Sequence, residues 1–176
     1  PWTIANDPMT VAELWRASLI SGVVAPSAAY WNGLVFVSNM GSYVGAIKTG
    51  AKGDVTKSNI TWKNSENLPD ISSPVADNGL LFQSTSDGIF TCFDALTGKK
   101  NYEHPFDVTV NASPIIASGK VYLLDAQGTM HIISASSAFV EESKGIVPDK
   151  TLATPAFAEG KLYIRGSKTL FCIGVK

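Results

Sequence analysis

A unit repeated four times constrains this chain more than any other feature. A glycine recurs at Gly33, Gly79, Gly119 and Gly160, at intervals of 46, 40 and 41 residues. Each follows a short run (SAAYW, SPVAD, SPIIA, TPAFA) and precedes an apolar one (LVFVS, LLFQS, KVYLL, KLYIR). A second turn follows at Gly41, Asp87-Gly88 and Gln127-Gly128, where glycine suits the positive φ of tight hairpins. Third runs come next: YVGAI, IFTCFD, TMHIIS and LFCIG. Fourth runs are ITWK, KKNYE and AFVEE, the last over Ala138 to Glu142. The stretch from Ser72 to Glu103 is the most complete copy.

Four short strands in a period of about 40 residues predict an all-β chain, a β-propeller of four-stranded antiparallel blades. Helical and leucine-rich repeats do not fit that unit. A sandwich would not return the same turns in the same order. The spacing places about four blades near residues 26–63, 72–103, 113–142 and 154–174, after an irregular segment over 1–12. An outer strand is expected at 13–19, with a short helix as the competing reading.

The fourth copy has no outer strand, and Glu13 to Leu19 looks like an outer strand without a blade. Three closures satisfy both observations. Four blades close alone with that strand, or two copies donate it to each other as a homodimer. The expectation carried forward is the third, the C-terminal part of a seven- or eight-bladed ring. The opening PWTIANDPMT reads as a cut from something longer.

Charge and hydropathy narrow the function classes. With 14 basic and 15 acidic residues the net charge is −1, which supplies no field for nucleic acid or an anionic membrane. No run approaches the roughly eighteen apolar residues of a membrane span. Cys92 and Cys172 fall at matching strand places two repeats apart, and are expected as small buried residues rather than a disulfide. His104 and His131 lack a third ligand nearby and make a poor metal site. Asp70, Asp77, Asp87, Asp107 and Asp125 are scattered and fit turns. Asn59-Ile60-Thr61 and Asn111-Ala112-Ser113 match glycosylation acceptors at the level chance supplies.

The run CFDALTGKKNYE resembles the repeat of the pyrroloquinoline-quinone (PQQ) type propellers, A-x-D-x-x-T-G-x-x-x-W, through Cys92, Asp94, Thr97, Gly98 and Tyr102. The first copy keeps Ala46, Thr49, Gly50 and Trp62 but lacks the Asp and carries an insertion from Ala51 to Asn59. The third and fourth copies keep the Pro and the Gly-x-x-Tyr portion. The resemblance implies that Asp94 and Thr97 cap a turn at Gly98 and that Tyr102 and Trp62 dock one blade on the next. It also implies a bacterial, periplasmic or extracellular setting.

Enzymes of that family hold PQQ and Ca²⁺ and carry adjacent cysteines, and this chain has no Cys-Cys pair. The expected function is therefore a non-catalytic scaffold or binding module of the cell envelope, resembling the scaffold propellers more than the dehydrogenases. No catalytic, cofactor or metal residue is assigned. A protein or peptide partner is expected at rim loops. The leading one is KTGAKGDVTKS, with Lys48, Lys52, Asp54 and Lys57 as candidate contacts. It is no phosphate loop, because Ala51 separates Gly50 from Lys52 and no helix follows. Two alternatives stand beside this reading. One is a fragment of a PQQ-dependent alcohol or sugar dehydrogenase. The other is a carbohydrate-binding rim using Tyr30, Trp31 and Tyr43.

Overall fold

A computed structural model describes residues 2–174. Among these residues no helix forms, so none is long and apolar enough to cross a membrane. In the described residues eighteen strands build five sheets. The first begins as a hairpin of β1 (Thr3–Asn6) and β2 (Glu13–Ala17). The second sheet follows with β3 (Ala29–Trp31), β4 (Leu34–Ser38) and β5 (Val44–Lys48). The chain then makes a short excursion, β6 (Gly53–Asp54), and returns as the outer strand β7 (Ile60–Asn64).

Two further four-stranded sheets repeat this plan. The third sheet contains β8 (Val75–Asp77), β9 (Leu80–Ser84), β10 (Ile89–Asp94) and β11 (Lys100–Pro105). The fourth contains β12 (Ile115–Ala117), β13 (Lys120–Leu124), β14 (Thr129–Ser134) and β15 (Glu141–Ile146). The fifth has three strands, β16 (Ala156–Ala158), β17 (Lys161–Arg165) and β18 (Leu170–Gly174). Among the described residues the pairings are antiparallel except that of β6 with β2.

The core is made between sheets rather than inside one. Trp15, Ala17, Val37, Ile47 and Val55 join the first to the second. Phe36, Trp62, Leu81 and Phe93 join the second to the third. Phe82, Phe90, Cys92, Leu123 and Ile133 join the third to the fourth. Leu124, Met130, Val147 and Ile164 join the fourth to the fifth. Central strands are covered on both faces, which is why LLFQS and IFTCFD read as continuous runs instead of alternating ones.

Three expectations need correction. The entry segment is not irregular throughout, because Thr3–Asn6 pairs with Glu13–Ala17. The 13–19 strand does not complete the last blade, since β2 holds β1 on one edge and β6 on the other. Donating it to a ring or to a second copy would break one of those pairings. The outer strand read as AFVEE forms later, over Glu141–Ile146, because Ser134 to Val140 is taken up by a turn closed by Ser134 N donating to Val140 O at 2.9 Å.

That N-terminal hairpin is itself a copy of the repeat. Asp7 Oδ1 accepts from the amides of Met9 (2.9 Å) and Thr10 (2.8 Å). Asp94 Oδ1 accepts from Leu96 (3.1 Å) and Thr97 (2.8 Å) in the same pattern. Val11 N donates to Asp7 O as Gly98 N donates to Asp94 O. Both residues are left-handed, with φ of 61° at Val11 and 71° at Gly98. The first sheet thus supplies the third and fourth strands of a blade.

Candidate functional site

The residues drawn from the resemblance lie at sheet-to-sheet joints. Asp94 closes its turn through Thr97, whose hydroxyl donates to Oδ1 at 2.8 Å and lowers the carboxyl pKa. The Trp62 ring covers Gly98 so closely that a Cβ there would overlap it. Trp62 Nε1 donates to Ala95 O at 2.9 Å. Tyr102 leans in the same direction on the next sheet, with its ring 5.7 Å from that of Phe139. Trp15 occupies the corresponding place in the first sheet, opposite Ala5 as Tyr102 is opposite Cys92. Its cover is the insertion carrying Val55. In the fourth sheet the aromatic is replaced by Ser143, opposite Ile132.

The insertion from Ala51 to Asn59 is a staple between sheets. Gly53 and Asp54 pair in parallel with Trp15 and Arg16. Val55 is buried, and its amide donates to Arg16 O at 2.9 Å. Thr56 Oγ1 receives the Ser18 amide at 3.0 Å, and Asp54 Oδ1 receives the Thr56 amide at 3.0 Å. The hydroxyl and amide of Thr56 hold the Asp54 carboxyl below its ordinary pKa.

This anchoring separates the four predicted contacts. Lys48 lies in a hollow of about 320 Å³ with Asn32, Thr61 and Leu96. Asp54 and Lys57 line another of about 370 Å³ with Trp2, Ser18 and Thr56. Lys52 is exposed and lines neither hollow. Arg16, paired with Glu13, sits 5.5 Å from the centre of the exposed Trp2 ring. Trp2 and Arg16 were not legible as neighbours of this loop, because the parallel pairing that brings them there has no local pattern.

Of the remaining polar candidates Asp125 and His131 meet, in a buried array with Glu141, and the others are engaged separately. Asp70 caps Ser86, Asp77 meets Asn78, Asp87 meets Thr85, and Asp107 occupies a left-handed turn. His131 is buried, with Nδ1 2.6 Å from Glu141 Oε1 and Nε2 3.4 Å from Asp125 Oδ2. Asp125 Oδ1 is taken by the amides of Gln127 and Thr129 at 2.8 Å each. His104 stacks on Phe139 at 3.8 Å between ring centres. Among the described residues no group of three or more His, Cys, Asp or Glu side chains is placed to hold a metal ion.

This donor set does not fit PQQ with Ca²⁺, because Asp70, Asp77, Asp87 and Asp125 are each turned to a local partner and, among the described residues, no set of carboxylates faces a shared cation site. Cys92 is buried in the third sheet, whereas Cys172 in the fifth is exposed, contrary to its expected burial. Tyr30 is exposed, Trp31 packs between the second and third sheets, and Tyr43 packs between the first and second, so the three share no platform.

Residues 3–175 match the family model described as outer membrane protein assembly factor BamB. Among solved structures, BamB from Moraxella catarrhalis superposes with a TM-score of 0.74 at 13% identity, over 96% of this chain and 51% of that one. The computationally designed Ika4 protein gives 0.71 at 10% identity, over 93% of this chain and 98% of that one. A quinohemoprotein alcohol dehydrogenase from Comamonas testosteroni gives 0.64 at 15% identity, over 83% and 29%. At these identities the likenesses establish a shared fold. The chain spans about half the length of the BamB it resembles. No curated protein matches it in sequence.

Proposed function

This chain belongs to the family described as outer membrane protein assembly factor BamB, and from that premise we propose that it is a non-catalytic propeller module of the bacterial cell envelope, periplasmic or outer-membrane associated, that binds a protein or peptide partner. One observation carries the reading most directly. The staple over Ala51 to Asn59 is pinned by β6 and buried Val55, yet turns Lys52, Asp54 and Lys57 to solvent. A rigid base beneath exposed charges of both signs lowers the ordering cost of association. Long loops on such scaffolds are frequent recognition elements.

The test is crosslinking in an envelope extract, comparing the wild type with a Lys52→Glu, Asp54→Lys, Lys57→Glu variant. A discrete crosslinked partner lost in the variant supports the reading. Equal capture by both removes the loop from it. Oxidation of an alcohol or sugar by the protein supplied with PQQ and Ca²⁺ would overturn it in favour of a dehydrogenase. A second copy is the other partner expected from the sequence. It would have to stack sheets rather than donate β2, and a strictly monomeric mass by light scattering eliminates it.

A further inference from the structure

Antiparallel order divides the blade turns between two ends. The β5–β7 staple lies at one end, and the β13–β14 and β17–β18 turns lie at the other. At that second end a cavity of about 530 Å³ opens between the fourth and fifth sheets. Ala126, Leu152 and Ala153 give it apolar walls, and Lys150, Arg165 and Ser167 supply polar groups. Its size falls within the roughly 300–1,000 Å³ of ligand pockets.

Asp149 and Asp125, each next in the chain to a lining residue, are already engaged. Asp149 receives the Ser167 hydroxyl and the amides of Lys168 (2.8 Å) and Thr169 (3.1 Å). These donors, led by Ser167, hold its pKa at about 2. Asp125 serves two turn amides and faces His131. Among the described residues neither Lys150 nor Arg165 has a carboxylate partner.

The equivalent cleft between the second and third sheets carries the opposite sign. It is lined by Asp70 and Asp87 with Met40 and Leu68. Blade closure thus does not require cations at this place. Residues that build the repeat recur from copy to copy, as Asp7 and Asp94 do. The Lys150–Arg165 pair has no counterpart in the cleft between the second and third sheets, so it is not a feature that builds every joint.

We propose that the cleft between the fourth and fifth sheets binds a carboxylate carried next to an apolar side chain. The Arg165 guanidinium and Lys150 ammonium pair with the oxygens, and Leu152 and Ala153 cover the apolar group. A planar guanidinium suits two-point pairing with a carboxylate. The carboxylate belongs either to the end of a peptide or to an acidic side chain within one. This site is separate from the staple and does not depend on it.

Isothermal titration calorimetry with three unlabelled peptides tests the proposal. They are acetyl-Gly-Leu-Phe with a free carboxylate, the same peptide as its amide, and acetyl-Gly-Leu-Asp-Phe-Gly amide. At least one acidic peptide is expected to bind while the neutral amide does not, and the one that binds identifies the source. Lys150→Ala with Arg165→Ala is expected to weaken binding by about tenfold or more. Both side chains are exposed, so the melting temperature checks that the fold persists. Raising salt from about 50 to about 500 mM should weaken binding as screening increases. Lys52→Ala with Lys57→Ala should leave it unchanged, which separates this site from the staple. Equal binding of the neutral amide, unchanged affinity in the double variant, or no heat from either acidic peptide at millimolar concentration overturns the proposal.

Discussion

Replacing Val11 by glycine is expected to stabilise this protein by about 1 kcal/mol, although it deletes a side chain. Val11 has φ of 61° at the turn between β1 and β2. A left-handed conformation costs an L-residue about 1–2 kcal/mol, and β-branching puts valine at the upper end. Glycine removes that strain but brings about 0.5–1 kcal/mol of additional unfolded-chain entropy. Little burial is lost, since Val11 is 71% exposed. The amide bond to Asp7 O at 2.8 Å is kept, as Gly98 keeps its bond to Asp94 O at 2.9 Å. The surplus is about 1 kcal/mol, or roughly 2–4 °C in melting temperature for a domain of this size. Urea titration followed by circular dichroism reads the global change. Hydrogen exchange at residues 7–12 reads the local one. A lowered midpoint together with faster local exchange would refute the strain argument and the equivalence of Val11 with Gly98.

Three further outcomes follow from the joints and turns. Trp62→Ala should cost about 3–5 kcal/mol, since it empties the seat over Gly98 and removes the bond to Ala95 O; denaturant midpoints check this. Val55→Ser should cost about 1–3 kcal/mol by placing a hydroxyl where Val55 is 2% exposed, with increased proteolysis near residues 51–59. The folded-state pKa of Asp149 is depressed from 3.8 to about 2, so its contribution is present above the unfolded value and fades as pH falls between them. Asp149→Asn should flatten the acid limb of a stability–pH curve between about pH 4 and pH 2, and an unaltered limb would assign the acid sensitivity elsewhere.

The blades were legible because their turns require particular residues at fixed places. Gly98 must be left-handed beneath an indole, and Asp94 must receive turn amides. Strands covered on both faces show up as unbroken apolar runs. The N-terminal hairpin escaped notice because Val11 stands where the pattern asks for glycine, although Asp7, Thr10 and Trp15 keep the spacing of Asp94, Thr97 and Tyr102. The staple was legible as an insertion but not as a strand, since two residues paired in parallel to Arg16 and Trp15 leave no periodic trace. Lys48 and Lys57 share a loop in sequence, yet the anchoring at Val55 places them in different hollows. Lys150 and Arg165 come from a connection and a strand end, and only the packing of the fourth sheet on the fifth brings them to one cavity.

The aromatic joints also set an order in time. Trp15 rests on Val55, Trp62 on Ala95 and Gly98, and Tyr102 on Phe139. In every case the aromatic leaves the ribosome before its seat does, by 33 residues for Trp62 and Ala95. A growing chain therefore carries one uncapped ring at its leading blade, covered when the next turn is made. Nascent chains ending before Asp94 are expected to leave the Trp62 sheet open to protease, and those ending after Lys99 to protect it. At Ser143 the relay loses its aromatic, so the fourth blade joins the fifth without that latch.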